Sequence, residues 1–139
     1  MKAEIKWIED ALFLAVSESG HSLLMDGPPE GGGRNLGIRP MEMILIGMGG
    51  CTAFDVVSIL KKARQNITDC RVKLRATRAE DPPKVFTHIH VHYIVTGKQL
   101  SPVQIERAIE LSAQKYCSAS VMLGKTAAIT HDYVIQELG

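Results

Sequence analysis

The chain is poor in aromatic residues, with one Trp, three Tyr and three Phe. It also lacks a charge excess of either sign: 16 Lys and Arg face 15 Asp and Glu, a formal net charge of +1. That balance gives no basic footprint for nucleic acid and no polybasic face for an anionic bilayer, so neither partner is expected. The densest basic cluster, Lys61, Lys62 and Arg64, reads as a helix end where cations suit the dipole. Three cysteines are an odd number, which argues against a complete disulfide framework. No internal repeat, low-complexity tract, phosphate loop, Gly-x-Ser-x-Gly elbow or paired-carboxylate site is evident. No signal peptide is visible either: Ile5 and Trp7 alternate, and Glu9 and Asp10 arrive before any long apolar run. With its thiols, the chain is expected in the cytoplasm, where cysteines stay mostly reduced.

What is present fits one domain over residues 1–139, 45% apolar and large enough to bury a core. Residues 3–9, 11–17 and 21–26 read as three strands. The glycine- and proline-rich stretch 27–37 is the longest irregular segment and is expected to be mobile. Pro40 is suited to the first turn of a long helix reaching Asn66. Residues 70–79 and 85–96 read as strands, separated by the turn Asp81-Pro82-Pro83. Ser101-Pro102-Val103-Gln104 is a helix start, with Ile105, Ala108, Ile109 and Ser112 on the apolar-leaning face. A short helix from Cys117 to Lys125 and a strand from Ile129 to Leu138 complete the chain. Strand runs interrupted by helices predict an α+β fold. The apolar run from Met41 to Leu60 is long enough to suggest a membrane span, but Glu42, Asp55 and the glycines favour a buried helix. That helix is apolar nearly all round and needs cover on every side. An intertwined homodimer would provide it.

The most informative residues are two cysteines placed on helices. Cys51 follows Gly47-Met48-Gly49-Gly50, and Ile44, Met48 and Asp55 share its helical face. Gly47, Gly49 and Gly50 each cost a helix roughly 1 kcal/mol relative to Ala. They read as close packing, as room beside the thiol, or as both. Cys51 lies too deep in its helix to use the dipole, so a lowered thiol pKa would need a cation. Arg34 and Arg39 are the candidates. Cys117 lies near the start of a short helix, where backbone N–H groups favour a thiolate. The bland alternative for either thiol is a packed, inert cysteine. Cys70 is read as structural. His88, His90 and His92 share one face of a strand whose other face carries Ile89, Val91, Tyr93 and Val95. Adjacent imidazoles can bind zinc, but the clean alternation favours an ordinary outward-facing row. No metal and no cofactor are expected.

The motifs resemble the OsmC/Ohr family, and within it the YhfA-like branch. The resemblance covers nearly the whole chain. It rests on Arg39-Pro40-Met41-Glu42-Met43, Gly49-Gly50-Cys51, Asp55-Val56-Val57-Ser58-Ile59-Leu60, Phe86-Thr87-His88-Ile89 and Lys115-Tyr116-Cys117-Ser118. It implies an α+β fold of antiparallel sheets around a long central helix, built as an intertwined homodimer. It also implies a thiol-dependent hydroperoxide reductase with Cys51 peroxidatic and Cys117 resolving, recharged by a dithiol reductant. Family peroxidases carry a glutamate ten residues before the peroxidatic cysteine, which orients a catalytic arginine; here that position is Met41. Glu42 is adjacent, but nine helical steps of ~100° turn it about 180° from Cys51. Arg34 is the best match for the arginine. A second reading is a small-molecule-binding or redox-sensing protein with little turnover. A third is an enzyme of another class in which Cys51 is the nucleophile and Asp55 stands one turn on.

Overall fold

A computed structural model describes residues 1–139. The elements run β1 (Ala3–Glu9), β2 (Leu12–Ser17), β3 (Ser22–Met25), a 3-10 turn (Pro29–Gly31), α1 (Pro40–Lys62), β4 (Asn66–Arg78), β5 (Phe86–Lys98), α2 (Pro102–Leu111), a π turn (Ser112–Tyr116), α3 (Ser118–Leu123) and β6 (Ala128–Glu137). This is the expected α+β order. The chain forms two compact units, Met1–Ile46 and Gly47–Gly139, with the boundary inside α1.

The first unit holds an antiparallel sheet in the order β1-β2-β3. β1 is exposed along its whole length, including Ile5 and Trp7 at 55% and 63%. The irregular stretch expected to be mobile is tied down at both ends. Met25 bridges Ile38, and Asp26 N–H donates to the Ile38 carbonyl at 3.0 Å. Inside the loop, the Asp26 carboxylate accepts from the backbone N–H groups of Gly27, Arg34 and Leu36 at 2.8, 3.1 and 3.1 Å. Burial pushes this carboxyl up, but the three N–H donors and the Arg34 charge outweigh it and hold it below the usual carboxylate range.

α1 begins where Pro40 predicts, and Arg39 N–H donates to Glu42 Oε1 at 2.8 Å, half of a capping box. It ends at Lys62 rather than Asn66: Arg64 takes φ 57° and its N–H closes on the Lys61 carbonyl. Asn66 is already the first residue of β4. Cys70 therefore lies inside that strand rather than at its entry.

The second unit's sheet has the order β4-β5-β6, antiparallel between β4 and β5 but parallel between β5 and β6. Parallel neighbours need a crossover connection, which α2 and α3 supply. Ser101 caps α2, accepting from Gln104 N–H at 3.4 Å. Its predicted face, Ile105, Ala108, Ile109 and Ser112, is buried, as are Ile89, Val91, Tyr93 and Val95 of β5. From α1 the core takes Met48, Gly49, Thr52, Val56 and Leu60, a single stripe at helical spacing. Of the other apolar positions of α1, Met41, Met43, Leu45, Val57 and Ile59 are half-buried, while Ile44, Ile46 and Phe54 stay exposed within the chain, Phe54 at 75% and Ile46 at 55%. The expectation of cover on every side is therefore not met by one copy. By length and composition alone α1 could cross a bilayer.

Candidate active site

The two helical cysteines meet. Cys51 comes from the middle of α1, and Cys117 is the N-cap of α3, just after the π turn. Their sulfurs and a carboxylate oxygen of Asp55 all lie within 4.8 Å of one another. All three cysteines of the chain are free thiols. Cys51 and Asp55 are half-buried, whereas Cys117 is fully buried. Residues 51 and 55 are neighbours because they stand one helical turn apart.

Cys117 Sγ accepts from Ser120 twice, from the hydroxyl at 3.0 Å and from the backbone N–H at 3.3 Å. Burial raises the Cys117 thiol pKa, the Ser120 bonds oppose the rise, and the neighbouring Cys51 adds to it. The net direction is upward, so the position at a helix start does not by itself yield a thiolate.

A chain of hydroxyls supports Asp55. Tyr93 of β5 and Thr52 of α1 are 2.6 Å apart, Thr52 and Ser112 are 2.8 Å apart, and Ser112 Oγ donates to Asp55 Oδ2 at 3.0 Å. Thr52, Tyr93 and Ser112 are almost completely buried, so each hydroxyl needs its partner. Sequence reasoning left Thr52 and Tyr93 out of the site and read Ser112 as part of a packing face. The available signal was a serine on an apolar stripe, which must bond to something if buried.

Gly49 faces Leu74 of β4 so closely that a Cβ would sit 2.7 Å from Leu74 Cδ1, which supports the close-packing reading there. Gly47 and Gly50 have nothing within 4 Å of such an atom. Beside Asp55 lies a cleft of about 550 Å³ whose lining includes Phe54, Ile59, Leu111, Tyr116 and Arg107.

The remaining candidates have partners of their own. Arg34 pairs with Glu9 at 3.4 Å and with Asp10 at 3.6 Å. Arg39 donates from Nη1 to Asn35 Oδ1 and to the Gly37 carbonyl, both at 3.2 Å. Glu42 is engaged at the start of α1, as described above. Cys70 is pushed up to about 11 by burial and then by Asp69, in keeping with a structural thiol. The histidine row faces away from the core. His90 Nε2 and His92 Nδ1 lie 3.0 and 2.7 Å from the same Asp132 oxygen, and His90 Nδ1 lies 2.7 Å from Thr130 Oγ1. Hydrogen bonds to His92 and His90 hold the Asp132 carboxyl below its usual range despite the opposing effect of burial.

Over residues 31–132 the chain matches the family described as OsmC-like protein. It is 50% identical to Protein YhfA of Escherichia coli K12, covering 97% of this chain and 98% of that one. A hypothetical protein from Aquifex aeolicus superposes with a TM-score of 0.88 at 27% identity, covering 99% of this chain and 97% of that one. An organic hydroperoxide resistance protein OsmC from Legionella pneumophila shares the fold, with a TM-score of 0.73 at 16% identity over 95% of this chain and 94% of that one.

Proposed function

Because this chain belongs to the OsmC-like family, we propose that it reduces organic hydroperoxides through the Cys51 and Cys117 thiols. The observation that carries this reading is the approach of two free sulfurs to within 4.8 Å from helices far apart in sequence. Cys51, the more accessible thiol, is the peroxidatic one. As the thiolate it attacks the distal oxygen of ROOH; the O–O bond breaks, Cys51 becomes a sulfenic acid, and the alkoxide leaves as ROH after taking a proton. Cys117 then attacks the sulfenic sulfur, forming a disulfide and releasing water. A dithiol reductant restores both thiols by exchange and leaves as its own disulfide. The net change is ROOH plus dithiol to ROH, water and disulfide. Phe54, Ile59 and Leu111 in the cleft beside Asp55 suit a hydroperoxide with a hydrocarbon body, next to Lys62 and Arg107, which share the lining. By the resemblance, Arg34 is the residue that would stabilise the thiolate, and Glu42 is the carboxylate nearest the position that orients the arginine.

The working form is a homodimer in the cytoplasm. The exposed apolar positions of α1 and of β1 support a second copy as their cover, since surfaces of this kind mark association sites.

The test is a thiol count by mass after adding cumene hydroperoxide, or hydrogen peroxide, to reduced protein. Rapid loss of two thiols as a Cys51–Cys117 bridge, faster with the organic peroxide, is the expected result. Slow, non-selective oxidation that is unchanged in Cys51→Ser would refute it. Three observations favour a second reading, a redox-sensing or small-molecule-binding protein with little turnover: Met41 at the family's glutamate position, the carboxylates already engaging Arg34, and the raised Cys117 thiol. Bridge formation without repeated turnover in the presence of a dithiol would select it.

A further inference from the structure

The same cluster has a property that peroxide chemistry does not require. We propose that Cys51, Cys117 and Asp55 form a binding site for a zinc ion. Two sulfurs and a carboxylate oxygen within 4.8 Å of one another need only small side-chain adjustments to share one ion, given Zn–S and Zn–O bonds of about 2.3 and 2.0–2.2 Å. The donor set indicates the metal. Two thiolates are too soft for magnesium or calcium, and a carboxylate beside them suits borderline zinc better than copper(I).

The groups that would hold the ligands in place are already present. Ser120 directs two donors at Cys117 Sγ, at 3.0 and 3.3 Å. Ser112 directs one at Asp55 Oδ2, at 3.0 Å, and is itself fixed through Thr52 to Tyr93. Hydrogen bonds of this kind orient metal ligands and tune their basicity. The hydroxyl chain ends on Asp55, a residue to which the peroxide cycle assigns no step. Cys51 and Asp55 are half-buried rather than sealed, which leaves an approach for the ion. Three protein ligands also leave a fourth coordination position for water or another small ligand. Cys70, on β4, takes no part.

The zinc site stands apart from the peroxidase reading, and its test does not use peroxide. Reduced protein stripped of metal is titrated with Zn²⁺ against a chromophoric chelator, and with Co²⁺ as a spectroscopic probe. The expected result is one ion per chain, with a sulfur-to-cobalt charge-transfer band whose intensity fits two thiolates. Cys51→Ser and Asp55→Asn each remove a ligand and should weaken Zn²⁺ binding by more than the roughly 10–100-fold that loss of an outer-shell partner costs. Cys70→Ser should bind like the parent chain. The cobalt spectrum of the parent chain counts thiolates even if a variant fails to fold, which circular dichroism would reveal. Absence of stoichiometric binding, a cobalt spectrum without sulfur ligation, or full affinity in folded Cys51→Ser would each overturn the assignment.

Discussion

Ser120 gives both of its donors, the hydroxyl at 3.0 Å and the backbone N–H at 3.3 Å, to the sulfur of Cys117. The hydroxyl can be removed without disturbing the backbone. Ser120→Ala should raise the Cys117 thiol pKa further, because the Ser120 bonds oppose the effect of burial. It should also lower stability by about 1 kcal/mol, the usual net worth of one hydrogen bond. Alkylation rate against pH, read at Cys117 by mass after denaturation, checks the first effect. Urea unfolding checks the second.

Thr52 stands between Tyr93 and Ser112, at 2.6 and 2.8 Å. Thr52→Val keeps the shape and leaves two buried hydroxyls short of a partner, so it should cost more than Tyr93→Phe, which removes one end of the chain. The expected losses are about 1–3 kcal/mol for the first and nearer 1 kcal/mol for the second. Equal losses in chemical denaturation would show that the bonds do not form a chain.

Asp26 links acid stability to the loop it anchors. Its folded carboxyl is held below the usual range, so the unfolded chain binds the proton more tightly. The stabilisation is then complete above the ordinary carboxylate pKa of about 3.9 and is lost as pH falls through the depressed folded value. Thermal unfolding across acidic pH should show this dependence. Asp26→Asn should lower the midpoint at neutral pH and flatten its acid slope.

Gly47 and Gly50 separate the properties of one chain from those of an assembly. A methyl group at either position meets nothing within 4 Å in the single copy, and replacing Gly by Ala should favour the helix by roughly 1 kcal/mol. If a second copy covers α1, the same methyl groups push the two apart. Gly50→Ala is therefore expected to weaken the dimer in sedimentation measurements while leaving the helical circular dichroism signal intact. An unchanged dimer would place its interface away from this face.

Local patterns explain why the element order could be read from the chain alone. β5 alternates His88, His90 and His92 with Ile89, Val91 and Tyr93, and Ser101-Pro102 marks the start of α2. The parallel pairing of β6 with β5 was not legible, because alternation says which face is buried and not which way a neighbour runs. The stop of α1 at Lys62 was also hidden, since no glycine or proline marks it and a left-handed Arg64 does the work instead. At the site, the two cysteines were found through the motifs around them. The hydroxyl chain was not, because Thr52, Tyr93 and Ser112 become neighbours only after folding and none is unusual alone.

The open edge of β1 has a consequence for assembly. β1, exposed from Ala3 to Glu9, is made before β2, the strand it pairs with. One edge of β1 has no partner strand, and an exposed edge carrying apolar side chains is a template for pairing with another chain. If a second copy covers this strand, the interval before that copy arrives is when the chain is most exposed to aggregation. Slow translation or scarce protein would lengthen that interval, so the yield of native protein should depend on expression rate as well as on sequence.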